Sequence, residues 1–107
     1  MHEVKVTVTR FVDTYQPGIV ECVLTDASGI SHIFIEKVPI VSDQKLWIDS
    51  DYPCEGGIGC TVLERLVGQD GEPLVRIDTA LPDHVESSDG KTVFVVGARE
   101  VTSVDGI

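Results

Sequence analysis

The sequence predicts an all-β domain, a small antiparallel barrel of about six strands with little or no helix. Three observations carry that expectation. Val and Ile recur at alternate positions along most of the chain, Asp-to-Gly turn signals separate the runs, and no window holds a helical period. A half-open barrel or a two-sheet sandwich would also bury such strands. The closed barrel is preferred because strands near ten residues long can curl and hide their edges.

The first strand runs from Glu3 to Val12, with Val4, Val6, Val8 and Val12 on one face and Lys5, Thr7 and Thr9 on the other. Tyr15-Gln16-Pro17-Gly18 is a turn, since proline sets φ and glycine supplies the freedom to leave it. The central hairpin follows, from Gly18 to Lys37, turning at Asp26-Ala27-Ser28-Gly29. Pairing Asp26 with Gly29 sets Val20 by Ile35, Cys22 by Ile33 and Leu24 by Ser31. Val20, Cys22, Leu24, Ile33 and Ile35 then share the inner face. Ile19, Glu21, Val23, His32, Phe34 and Glu36 form a mixed outer face, on which His32 lies diagonally from Glu21.

Pro39 cannot donate a ladder hydrogen bond, so Val38–Val41 marks a strand exit, an edge or a bulge. Residues 42–57 have no sustained period and are the longest irregular stretch, with Leu46-Trp47-Ile48 as a short strand or helical turn. Gly57 to Val67 and Leu74 to Thr79 form the next hairpin. Counting from Val67 opposite Leu74 puts Arg65 across from Arg76, an unfavourable like-charge pair, so a bulge at Gly68 or Gly71 is expected to shift the register. Ala80–Ser88 is a polar connection. Asp89-Gly90 opens a final strand, Lys91 to Val96, which Val101 continues after Gly97.

The chain has 107 residues, enough for one domain over 1–107 and too few for two cores. Eighteen acidic residues against eight Lys and Arg give a net charge of −10, and the pI is about 4.4. Phosphate backbones are repelled by such a surface and the cations are scattered singly, so nucleic acid is excluded as a partner. A basic protein partner suits the charge. No apolar stretch follows Met1 and none is long enough to span a bilayer, so no membrane role is expected. Three cysteines fit a disulfide framework poorly and point to a reducing, cytoplasmic home.

The candidate binding site is the aromatic and acidic loop. Trp47 and Tyr52 offer stiff contact area with a polar tip, and Asp49, Asp51 and Glu55 would steer a basic ligand toward them. Asp49-Ser50-Asp51 suggests calcium but fails the EF-hand pattern: Pro53 replaces a ligand and no closing Glu follows. Cys54 and Cys60 stand too far apart for a zinc knuckle, and Cys22 and Cys60 fit a core. No metal or cofactor is therefore assigned. Catalysis would need His32, His84, Cys54 or Ser42 to meet in space, and no nucleophile elbow or phosphate-binding glycine loop supports it.

The runs GIVECVLTDASGISHIFIEKVPIV and VESSDGKTVFVV resemble short bacterial all-β proteins of unknown function, over about half the chain. The resemblance implies a bacterial, single-domain, cytoplasmic protein and brings no site residues with it. The function expected is a non-catalytic module that binds a protein or ligand, with homodimerisation through the leftover apolar face. Two other classes stay open: an acidic, immunity-type neutraliser of a basic toxin or nuclease, and a small enzyme with a His or Cys site.

Overall fold

The computed structural model describes residues 1–103. Its strands are β1 (His2–Asp13), β2 (Ile19–Thr25), β3 (Ser31–Lys37), β4 (Cys54–Val67), β5 (Pro73–Asp78), β6 (Val93–Gly97) and β7 (Val101–Ser103). They pair in the order β3-β2-β1-β4-β5-β6, all antiparallel. After β6 a 3-10 turn, Ala98–Glu100, leads into β7, which pairs back onto the start of β1 through Val4 and Val101. The sheet thereby curls onto its own first strand, and the half-open form of the predicted barrel is what results, with β3 and β6 at the ends of the strand order. β4 is its spine: Cys54 to Cys60 pairs with β1 and Thr61 to Val67 with β5.

Both hairpins are shifted one residue from simple counting, for one reason. In the β2–β3 loop Gly29 takes φ +82°, a left-handed conformation that glycine adopts without cost. The Asp26 N–H then donates to the Ile30 carbonyl at 2.9 Å and the Gly29 N–H to the Asp26 carbonyl at 3.0 Å. Asp26 therefore pairs across Ile30, not Gly29, in a three-residue hairpin loop with its bulge at glycine. The same two bonds join Gly68 to Glu72 around Gly71 and Ser87 to Lys91 around Gly90. Their glycines have φ of +80° and +83°.

The slip changes which residues are inside. Leu24 stands by His32, Cys22 by Phe34 and Val20 by Glu36, so the expected inner pair, Ile33 and Ile35, faces outward at 42% and 45% exposure. His32 and Phe34 replace them inside, and the expected diagonal of His32 with Glu21 is lost. In the second hairpin the shift removes the Arg65–Arg76 clash, because Arg76 falls opposite Glu64 and the two form an ion pair. β1 holds two further irregularities, at Val8/Arg10 and Phe11/Asp13. They turn Phe11 toward the core and leave Val12 exposed, against the simple alternation that grouped Val12 with Val4, Val6 and Val8.

The core is Val4, Val6, Val8, Val20, Cys22, Leu24, Phe34, Ile58, Val75, Ile77, Phe94 and Val96, closed by residues from the connections. Val38 and Val41 are buried from a single helical turn, α1 (Val38–Val41), where a strand exit was expected; Pro39 suits it because first-turn N–H groups have no helical partner. Residues 42–53 are irregular, as the sequence implied. Thr79 is fully buried; its hydroxyl donates to the Val85 carbonyl at 2.6 Å, fastening the 79–92 connection across one end. No helix of the described residues is long and apolar enough to cross a membrane.

Candidate functional site

The irregular segment between α1 and β4 is held from both ends. Leu46 is buried and Tyr52 half-buried against the core. Between them the backbone of Trp47 is bonded three times. Its N–H donates to Ser50 Oγ at 2.9 Å, and its carbonyl accepts from the Ser50 N–H at 3.1 Å and the Tyr52 hydroxyl at 2.5 Å. Burial pushes the Tyr52 phenol above its ordinary range, so the hydroxyl stays a neutral donor. The Trp47 ring leans on Phe11, with centroids 5.5 Å apart and planes tilted by 55°. The residue as a whole is nonetheless 41% exposed. Trp47 thus has a fixed backbone, one aromatic neighbour and a partly exposed side chain.

Trp47 lines a mostly apolar groove of about 540 Å³ with Pro17, Val38, Pro39 and Leu46, to which Gln16 and the polar residues 42–45 also contribute. A second groove, of about 470 Å³, lies against the same Pro39–Gln44 segment and shares Pro39, Ser42, Asp43 and Gln44 with the first. Its lining holds Gly56, Gly57 and Gly59 together with four carboxylates, Glu3, Asp43, Glu55 and Asp83.

Pairing β1 with β4 places Glu3 and Glu55 in this cluster, and the connections after α1 and β5 supply Asp43 and Asp83. Glu3 stands opposite Gly59 and Lys5 opposite Gly57. The Glu3 carboxyl lies over Gly57, where any Cβ would collide with it, and a Cβ at Gly56 would come within 2.7 Å of the Val41 carbonyl oxygen. At Gly59 the obstacle is the Pro82 ring, 3.0 Å away, which brings Asp83 alongside. These glycines let other chain segments lie close on the strand. Lys5 approaches Glu55 at 3.8 Å between exposed side chains, a weak neutralisation.

Of the residues singled out in the sequence, Trp47 borders the apolar groove and Glu55 the acidic one. Tyr52 braces the loop rather than presenting its ring. Asp49 and Asp51 are exposed on the same loop and line neither groove. Asp43 belongs to the acidic loop recognised in the sequence, whereas Glu3 and Asp83 were missed by sequence reasoning. The signal that pointed to them was the Gly56-Gly57-x-Gly59 run inside a strand, since glycine there marks a close approach.

Residues considered for chemistry stay apart. His32 is 9% exposed inside the barrel beside Phe94, whereas His84 is exposed on the 79–92 connection with φ of 55°. Burial raises the thiol of Cys22 to about 12 and that of Cys60 to about 11, so neither is a ready nucleophile or ligand. Among the described residues no group of three His, Cys, Asp or Glu side chains is placed to hold a metal ion. What the site offers chemically is an apolar surface next to a cluster of negative charge. No family model, curated protein or solved structure matches this chain.

Proposed function

We propose that this chain is a non-catalytic interaction domain that binds a basic protein partner through the Trp47 loop. The observation that carries the reading is Trp47: exposed, held by its own backbone bonds, and lining an apolar groove that adjoins the acidic one. A large aromatic side chain fixed before binding loses little entropy on contact, as interface anchors require. Surrounding carboxylates and the overall charge of −10 would speed encounter with a cationic surface and repel acidic ones. A basic toxin or nuclease falls within this partner class.

The test is affinity capture from an extract of the source cells, with wild-type, Trp47→Ala and Asp49→Asn/Asp51→Asn/Glu55→Gln baits run side by side. A basic protein retained by wild type, lost with Trp47→Ala and released by about 0.5 M salt supports the proposal. Equal retention by all three baits overturns it.

The outer face of β2–β3 favours a second contact. Ile33 and Ile35 are exposed there, on strand β3 at one end of the strand order, and self-association through this face would cover them. Sedimentation equilibrium should then give a dimer that Ile35→Lys dissociates; a wild-type monomer at every concentration rejects this contact.

A further inference from the structure

Resting on that reading, we infer that the partner is recognised as an extended polypeptide segment: an apolar side chain enters the groove beside Trp47, and a neighbouring Arg or Lys enters the groove floored by Gly56, Gly57 and Gly59. The apolar groove sets the first requirement. Its surface is mostly apolar, from Pro17, Val38, Pro39, Leu46 and Trp47 beside polar residues of the 42–45 segment, and that surface desolvates an aliphatic side chain. The adjoining groove sets the second. Glu3, Asp43, Glu55 and Asp83 line it together with the N-terminal residue Met1, and Lys5 stands 3.8 Å from Glu55, so carboxylates predominate there. A guanidinium or ammonium group complements that charge, whereas a second copy of this acidic chain would add to it.

The scale also fits a chain rather than a compact cation. The grooves share Pro39, Ser42, Asp43 and Gln44 and so lie side by side. An extended chain advances about 3.3 Å per residue, and side chains one or two positions apart can drop into adjacent depressions while the backbone crosses between them. The close fit of Glu3 over Gly57, and of Pro82 and Asp83 over Gly59, sets two of the groove's carboxylates tight against β4.

The test uses three blocked pentapeptides: alternating Arg and Leu, alternating Arg and Gly, and alternating Glu and Leu. Trp47 is the single tryptophan, so its emission reports the apolar groove directly. Amide shifts of Gly56, Gly57 and Gly59 report the acidic one. The Arg/Leu peptide should perturb both sets of signals, with the other two weaker by tenfold or more. The double variant Glu3→Gln/Asp83→Asn, with its fold checked by amide dispersion, should bind it about fivefold more weakly. Equal responses to Arg/Leu and Arg/Gly peptides, or an unchanged affinity in the double variant, overturn the inference. So do concentration-dependent shifts of the same amides without peptide, which would assign the grooves to a second copy. A folded basic protein, lysozyme, separates the two levels. If lysozyme shifts the groove amides and no peptide does, the segment inference fails and the basic-partner reading stands. If neither does, both fail.

Discussion

His32 Nε2 lies 2.7 Å from Asp26 Oδ2, and this pair closes the tip of the β2–β3 hairpin against β6. An ionised carboxylate only accepts, so the ring nitrogen donates. Asp26 Oδ1 accepts from the N–H groups of Ser28 at 2.8 Å and Ile30 at 3.0 Å. The neighbouring Ala27 N–H donates to the Val95 carbonyl at 2.8 Å. One carboxylate therefore organises the turn, partners a buried imidazole and helps dock the tip.

Asp26→Ala should accordingly destabilise the domain by about 2 to 3 kcal/mol at neutral pH, since it strands His32 and two backbone donors. Burial works against the Asp26 carboxylate, but hydrogen bonds from His32, Ile30 and Ser28 outweigh it and hold the group below its ordinary range. A depressed carboxyl contributes stability that is fully present above its unfolded value, about 3.9, and is lost as pH falls through the folded value. Glu21, hydrogen-bonded by Thr9 and Arg10, and Asp89, hydrogen-bonded by Ser87, shift in the same direction. Urea denaturation should show wild type losing stability below about pH 4 and the gap to Asp26→Ala narrowing there. A gap independent of pH would deny the carboxylate this role.

The three hairpin glycines offer a measurement of backbone strain alone. Gly29, Gly71 and Gly90 have φ between +80° and +83°, and a Cβ at each would meet nothing within 4 Å. Alanine there adds no clash, only the cost of a left-handed conformation, about 1 to 2 kcal/mol. We expect the three Gly→Ala variants to lose similar amounts, and Gly→Asn to lose less. Unequal losses would show that the turns, alike in their bonds, differ in how firmly the barrel holds them.

These turns also explain what the sequence made legible. Alternating Val and Ile revealed the strands and the all-β class, because burial of one face imposes a period of two. The Asp–Gly signals located the turns but not their loop length, and one extra loop residue moved Ile33 and Ile35 outward and His32 and Phe34 inward. For the second hairpin the like charges of Arg65 and Arg76 exposed the mistaken register, and the shift to Glu64 opposite Arg76 follows from Gly71. The first hairpin had no such penalty to flag the error. Trp47 could be singled out by residue type, but its support from Phe11 depends on bulges in β1 that leave no mark in composition. The carboxylates of the acidic groove come from four separate segments: the β1–β4 pairing brings Glu3 and Glu55 together, and the connections after α1 and β5 add Asp43 and Asp83.

Burial separates the three thiols. Cys22 is pushed up to about 12 and Cys60 to about 11 by desolvation, and both side chains are inside the barrel. Cys54 is half-buried at the start of β4. Treatment of the native protein with a thiol-specific disulfide reagent at pH 8 should modify Cys54 first, with Cys22 and Cys60 reacting only as the domain unfolds. Three equivalents released at one rate would contradict the buried placement.

Trp47 and Phe34 should behave as opposites on truncation. Phe34 is fully buried and packs edge-on against Phe94 at 5.7 Å, so Phe34→Ala should cost about 3 to 5 kcal/mol. Trp47 is 41% exposed, and the bonds that shape its loop run through its backbone, which alanine keeps. Trp47→Ala should therefore cost only about 1 to 2 kcal/mol, for its contact with Phe11 and one groove wall. Tyr52→Phe makes the complementary change, since it keeps the ring of Trp47 but removes the hydroxyl that holds its carbonyl. It should cost about 1 kcal/mol and lower the steady-state anisotropy of Trp47 emission as the loop loosens. If Trp47→Ala instead unfolds the domain as Phe34→Ala should, Trp47 is a core residue, and the binding role proposed for it goes with that result.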